Sequence, residues 1–195
     1  MDTSQNTPTL AQAAESSSER RYAGELGLAM LALSHDPRVL YVGQAVRCAG
    51  TSMSGTLHGV PMENRIAFPV AEEMQMGVSL GLSIAGYVPV TFYPRFNFLL
   101  LAMNQLVNHV DKLSAISHGE WPGRVIIRVG VGSERPLHPG HQHVGDMTDA
   151  FCRLLTNTKI FPITEPELAL PYYNAALRYP GPSLMVEYGD YYAEK

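Results

Sequence analysis

The sequence predicts an α/β fold, a doubly wound and mostly parallel sheet of about six strands with helices on both faces. Three observations predict it. Short unbroken apolar runs recur along the chain, as strands buried on both faces of a sheet require. Between them lie segments with apolar residues at helical spacing. The links that follow the runs are rich in glycine, proline and serine, which break both periods.

In chain order, a helix opens at Ser18 or Glu19 and reaches about Leu33, with Ala23, Leu26, Ala29, Met30 and Leu33 on one face and Asp36-Pro37 ending it. The first strand is Val39-Leu40-Tyr41-Val42-Gly43. Residues 44–68 carry no period and read as a long loop, a feature more often functional than structural in a compact domain. A helix follows Pro69 and reaches about Ala85, where Gly86 stops it, and the second strand is Val88–Tyr93 with Pro89 near its start. Leu99, Met103, Leu106, Val107, Val110 and Leu113 recur at helical spacing, predicting one long amphipathic helix over Phe98–Ser117. A third strand, Arg124–Val129, leads into the loop Gly130–Gly145 with three histidines. The helix Met147–Leu155, the short strand Ile160–Ile163, the helix Glu165–Tyr179 and the strand Ser183–Glu187 complete the pattern, with right-handed crossovers expected throughout.

One sizeable core fits 195 residues, so a single domain over 19–195 is expected behind a flexible N-terminal segment, 1–18. Eighteen acidic and fourteen basic residues give a net charge of −4. Without a basic stripe there is no source of affinity for nucleic acid. Charged residues make up 16% and apolar ones 46% of the chain, too few polar groups to cover a monomer of this size, so part of the surface is expected to face another chain. Cys48 and Cys152 form neither a disulfide framework nor a C-x-x-C pair, which fits a reducing cytoplasm. The N-terminus lacks the apolar stretch of a secretory signal, and no apolar run reaches the roughly 18 residues of a membrane span. A soluble cytoplasmic protein is expected.

In an open α/β sheet, ligands bind beyond the carboxyl ends of the strands. That rule selects the segment 44–72 ending in Glu72-Glu73, the turn Pro94-Arg95-Phe96-Asn97-Phe98, and the loop from His138 to His143. The H-x-x-H-x-H spacing in this loop is compact enough for a zinc or nickel ion, but no cysteine or carboxylate cluster completes a tetrahedral set.

The order and spacing of several phrases carry a resemblance. These are DPRVLYVGQAV, then RIAFPVAEEMQMGVSLGLSIAGYVPVTFYPRFNFLLLAMNQLVNHVDKLSAISHG, then GHQH and LMVEYGDYY. Over nearly the whole domain, from about Ala23 to Tyr188, the chain resembles the pyrimidine-binding domain of thiamine-diphosphate enzymes of the transketolase and 2-oxo-acid dehydrogenase group. It is most similar to the beta subunits of the dehydrogenases' decarboxylating component.

The resemblance implies that Glu72, three positions after Pro69, hydrogen-bonds N1′ of the cofactor's aminopyrimidine. A carboxyl there favours the imino tautomer, whose 4′-nitrogen can remove the proton from C2 of the thiazolium. The plain alternative is an acidic residue complementing the first turn of a helix, and Glu73 is assigned to the helix exterior. Phe98, and less directly Phe96, match the aromatic segment that packs on the aminopyrimidine, against the alternative of core packing. Arg95 stands where relatives carry a small or apolar residue, and in the pocket it would hold a substrate carboxylate or phosphate; otherwise it is a solvated surface cation. His143 fits the dehydrogenase pattern and His141 the transketolase pattern of a histidine that exchanges protons with substrate oxygen, a structural loop histidine being the alternative.

Such enzymes hold Mg²⁺ and the diphosphate through a G-D-G motif on another domain, and Gly145-Asp146 and Gly189-Asp190 do not continue into one. The resemblance therefore implies a separate diphosphate-binding partner chain that holds the magnesium, in a heterotetramer or with this chain as a homodimer. Lys195 follows soon after the last strand, where relatives continue into a further domain, so a stand-alone subunit of a split enzyme is expected. Three activities stay open: decarboxylation of a 2-oxo acid with acyl transfer, ketol transfer as half of a split transketolase, and a catalytically silent subunit serving assembly or regulation.

Overall fold

The computed structural model describes residues 22–48, 50–135 and 138–194; the expected N-terminal segment and helix start at 18 or 19 lie outside them. Six strands form one sheet: β1 (Val39–Gly43), β2 (Arg65–Ala67), β3 (Val88–Tyr93), β4 (Ile126–Val131), β5 (Lys159–Ile163) and β6 (Ser183–Tyr188). Their order is β2-β1-β3-β4-β6-β5, and every pairing is parallel.

β1 and β3 fall on the residues that the apolar runs predict. β4 begins two residues later than expected. Gly123 takes a left-handed conformation and turns the chain (φ 71°), and pairing with β3 starts only at Val90↔Ile126. That register also spares Pro89, which faces only β1 through Leu40 and so loses no bond to β4.

The larger departure is in 44–68. This segment is not one loop: it contains β2, an edge strand paired with β1 from Tyr41↔Arg65 to Gly43↔Ala67.

 A short helix, α2 (Ser52–Gly55), precedes it, capped by Thr51, whose hydroxyl accepts from Ser54 N while Ser54 Oγ accepts from Thr51 N. A 3₁₀ turn over Met62–Asn64 leads into β2. Three residues, two half-buried and one exposed, are too few to show any period, which is why this strand leaves no signal in the sequence.

Helices cover both faces. On one lie α1 (Tyr22–Leu33), α7 (Ala169–Arg178) and α8 (Tyr191–Glu194); on the other lie α3 (Glu72–Ile84), the segment 96–116 and α6 (Thr148–Leu154). Neighbouring strand residues feed opposite cores, as the pleat demands. Phe92, Ile126 and Met185 join Leu26, Met30 and Tyr173, whereas Tyr93, Ile127 and Val186 join Met76, Leu106 and Phe151. Each such fully buried side chain contributes about 1.5–3 kcal/mol.

The expected helix over Phe98–Ser117 is broken into pieces. It comprises α4 (Phe96–Leu99), a 3₁₀ turn (Leu100–Ala102), a π-helix (Gln105–Val110) and α5 (Leu113–Ile116). The wide π turn closes with Asp111 N donating to Leu106 O, and it brings the adjacent residues Val110 and Asp111 both into the interior. Asp111 there receives the backbone N–H groups of Thr156, Asn157 and Thr158, which pins the segment to the start of β5.

Candidate active site

Glu72 is the first residue of α3, at the carboxyl end of the sheet. Its N-cap, Ala71, has no side chain to satisfy the helix end, so the acidic pair Glu72 and Glu73 complements the dipole instead. The helix is fixed to β3 by Gln75, fully buried, whose amide donates to Thr91 Oγ1 at 2.8 Å and to Phe92 O at 2.9 Å. Tyr93 Oη donates to the carbonyl of Glu72 at 3.1 Å, and burial pushes this phenol's pKa up, so it remains a donor. The Glu72 side chain is only 8% exposed, and its Oε1 accepts from Gln44 Nε2 at 3.4 Å. Glu73 is exposed and accepts from Asn104 Nδ2. Both acids border an open groove of about 700 Å³, walled by Met74, Val78 and Leu101 and floored by Gln105.

A second cavity, of about 460 Å³, lies over the carboxyl ends of the central strands. Gln44 lines it after β1, Arg95 and Phe98 after β3, Ser133 after β4 and Tyr192 after β6. Gln44 therefore joins this cavity to Glu72. Phe98 is half-buried, and the ring of His143 meets it edge-on at 5.6 Å. His143 Nδ1 donates to Asn97 Oδ1 at 2.9 Å, which in the neutral ring places the lone pair on Nε2. The loop holding His143 sits against Gly132, whose N–H donates to His143 O at 3.1 Å. A Cβ on Gly132 would lie 2.0 Å from that oxygen, so only glycine permits the approach. Arg95 is half-buried and forms no ion pair among the described residues.

Arg95 and Phe98 thus share one cavity, His143 stands against two of its lining residues, Phe98 and Gly132, and Glu72 is reached through Gln44. Two other sequence candidates lie elsewhere. Phe96 is wholly buried in the core against Phe151, at a ring distance of 5.2 Å, and has no face left for a ligand. His141 is exposed, its ring against His138 at 5.3 Å. No group of three His, Cys, Asp or Glu side chains among the described residues could hold a metal ion. Sequence reasoning missed Gln44, Tyr93 and Asn97; the first two directly follow or end a strand, which is the one signal that marks them.

Comparison with known proteins matches residues 21–191 to the family described as transketolase, pyrimidine binding domain. The pyruvate dehydrogenase E1 component subunit beta of Gracilaria tenuistipitata var. liui is 28% identical over 159 residues, covering 80% of this chain and 48% of the relative. The 3-methyl-2-oxobutanoate dehydrogenase subunit beta of Mycobacterium tuberculosis is 25% identical over 163 residues, covering 80% of this chain and 45% of its own length. The chain therefore spans about half the length of these curated relatives. Among solved structures, one described as a split gene transketolase, inactive beta4 tetramer, shares the fold with a TM-score of 0.67 at 20% identity, covering 86% of this chain and 51% of that one. With the family model matched from residue 21 to 191, across all six strands, the chain belongs to the transketolase pyrimidine-binding-domain family.

Proposed function

We propose that this chain supplies the pyrimidine side of a thiamine-diphosphate site, completed by a separate chain that binds the diphosphate and Mg²⁺, in an enzyme that decarboxylates a 2-oxo acid and transfers the acyl unit to an acceptor. The observation that carries the reading is Glu72, a buried carboxyl fixed at the head of α3, with one side-chain donor and a groove beside it. The residues fit the pyrimidine half of the cofactor: a carboxyl for a ring nitrogen at Glu72 and a half-buried aromatic face at Phe98. When bound, the cofactor supplies an electron sink for bond cleavage beside a carbonyl.

Glu72 holds or moves a proton at N1′, and Gln44 orients its carboxyl. Phe98 gives the flat apolar wall that sets the ring's plane. His143, its tautomer fixed by Asn97, offers Nε2 to a substrate oxygen. Arg95 pairs with the substrate carboxylate. The same cation suits a phosphate equally, which favours ketol transfer from a sugar phosphate as the second reading; turnover of a 2-oxo acid against a ketose phosphate separates the two. No helix among the described residues is long and apolar enough to cross a membrane. Cys48 and Cys152, both exposed and unpaired, support a reducing cytoplasm as the setting.

The test is hydrogen–deuterium exchange at C2 of thiamine diphosphate in the complex reconstituted with a partner that carries the G-D-G motif. Glu72→Gln keeps the shape and removes the titrating carboxyl, so exchange should slow by about 10²-fold or more while assembly survives. Glu73→Gln should leave the rate within about twofold, since its side chain is on the exterior. If neither change slows exchange, the chain is a silent assembly subunit.

A further inference from the structure

A third cavity, of about 670 Å³, opens beside the sheet edge formed by β2 and has no part in the site described above. Helix α2 divides the two: Ser52 and Met53 line the candidate active site, Ser54 and Gly55 line this one. Three basic side chains border it, Arg47, His58 and Arg65, with Glu63 the one acidic residue among those lining it.

Arg65 is half-buried and already committed to the backbone. Its Nη1 donates to Val46 O at 3.2 Å, and its Nη2 donates to Leu57 O at 2.5 Å and Val60 O at 2.6 Å. Nε is buried and has no partner among the described residues. Carbonyl oxygens carry only partial charge, so these bonds position the guanidinium without neutralising it. Neither Arg65 nor Arg47 forms an ion pair with a carboxylate among the described residues. Burial holds the pKa of Arg65 below its ordinary value, and the nearby charge of Arg47 adds to that effect. Two like charges thus share one concave wall, and a bound oxyanion would offset their repulsion.

We propose that this cavity is a binding site for a phosphoryl group, held between Arg47, His58 and Arg65. Phosphate carries about −1.5 to −2 charges and three or four acceptor oxygens, which match two guanidinium groups and an imidazole better than a single carboxylate does. The site does not depend on the thiamine-diphosphate reading and can be tested in the chain alone.

The experiment is a titration of the ¹⁵N-labelled full chain with inorganic phosphate at constant ionic strength, followed by backbone amide shifts. Saturable shifts confined to residues 47–48, 54–60 and 63–65 are expected, with half-saturation at about 1 mM. The Arg47→Gln/His58→Asn variant changes two exposed side chains, keeps the dispersed spectrum of the folded chain, and should bind about tenfold more weakly or worse. Shifts that rise linearly to about 20 mM, that persist unchanged in the variant, or that acetate reproduces at equal concentration would overturn the proposal. So would phosphate binding that is lost in Arg95→Ala and retained in the double variant, since it would place the anion in the candidate active site instead.

Discussion

Arg128 and Glu187 are both fully buried and face each other from the adjacent strands β4 and β6. Arg128 Nε donates to Glu187 Oε1 at 2.8 Å and Nη2 to Oε2 at 2.9 Å, while Nη1 reaches Thr56 Oγ1 at 3.0 Å and so anchors the end of α2. Tyr173 and Tyr192 donate their hydroxyls to the same carboxylate. Burial alone would lower the arginine's pKa, but Glu187 more than offsets it and keeps the group charged. Arg128→Leu leaves a buried carboxylate unpaired and should cost about 3–5 kcal/mol in urea denaturation, whereas Arg128→Leu/Glu187→Leu should cost less than either single change. A double variant less stable than both singles would show that the pair is a net source of stability. In the sequence this pair is invisible, because its members are 59 positions apart and Arg128 only interrupts an apolar run. Glu72, Arg95, Phe98 and His143 are legible because a local phrase or a strand end marks each. Phe96 and Phe98 show where such reading stops. Residues two apart on a helix point about 200° apart, so one ring enters the core if the other does not, and only the path from β3 into α4 decides which.

At the scale of elements, the π-helix exists where Asp111 must reach the turn before β5. Burial would raise the pKa of Asp111, yet donation from Lys112 Nζ, Thr158 Oγ1 and the backbone N–H groups of Asn157 and Thr156 outweighs it and holds the carboxyl well below the usual range. Because the folded value lies under the unfolded one of about 3.9, the stabilisation is complete above that pH and fades as pH falls further. The urea midpoint should therefore drop as the solution is acidified below about pH 4, and Asp111→Asn should reduce that dependence while costing about 2–3 kcal/mol at neutral pH. An Asp111→Asn chain with the same acid slope as the parent would assign the loss to other carboxylates. Apolar spacing predicts helix over this stretch, because 99, 103, 106 and 110 fit a 3.6-residue period to within one position. It cannot register the added residue of a π turn, whose cause is a hydrogen-bond partner 45 residues away.

The whole molecule has too few charged residues for its size, and the structure locates the resulting bare surface. The segment 98–117 contributes only part of it, because Leu99, Leu106, Val110 and Leu113 are turned into the chain's own core. The exposed apolar side chains include a band that runs from Val70 (77%) and Met74 (52%) to Leu100 (43%) and Leu101 (62%), with Met74 and Leu101 lining the groove. Glu72 borders that groove, so a chain seated on the band would close over the carboxyl and shield it from water. A stable interface needs about 800 Å² from each partner, more than these side chains alone offer, so the contact must extend past the groove along α3 toward Ile84, also exposed. Leu101→Asp is suited to test this, since a residue already in solvent can take a charge at a cost of about 0.5 kcal/mol to folding. We expect light scattering to show the parent chain as a dimer, or as a heterotetramer with its partner, and the Leu101→Asp chain to dissociate at micromolar concentration with an unchanged far-ultraviolet spectrum. A parent chain that stays monomeric with and without the partner would instead mean that this band is covered by some other segment, and that Glu72 keeps its open groove in solution.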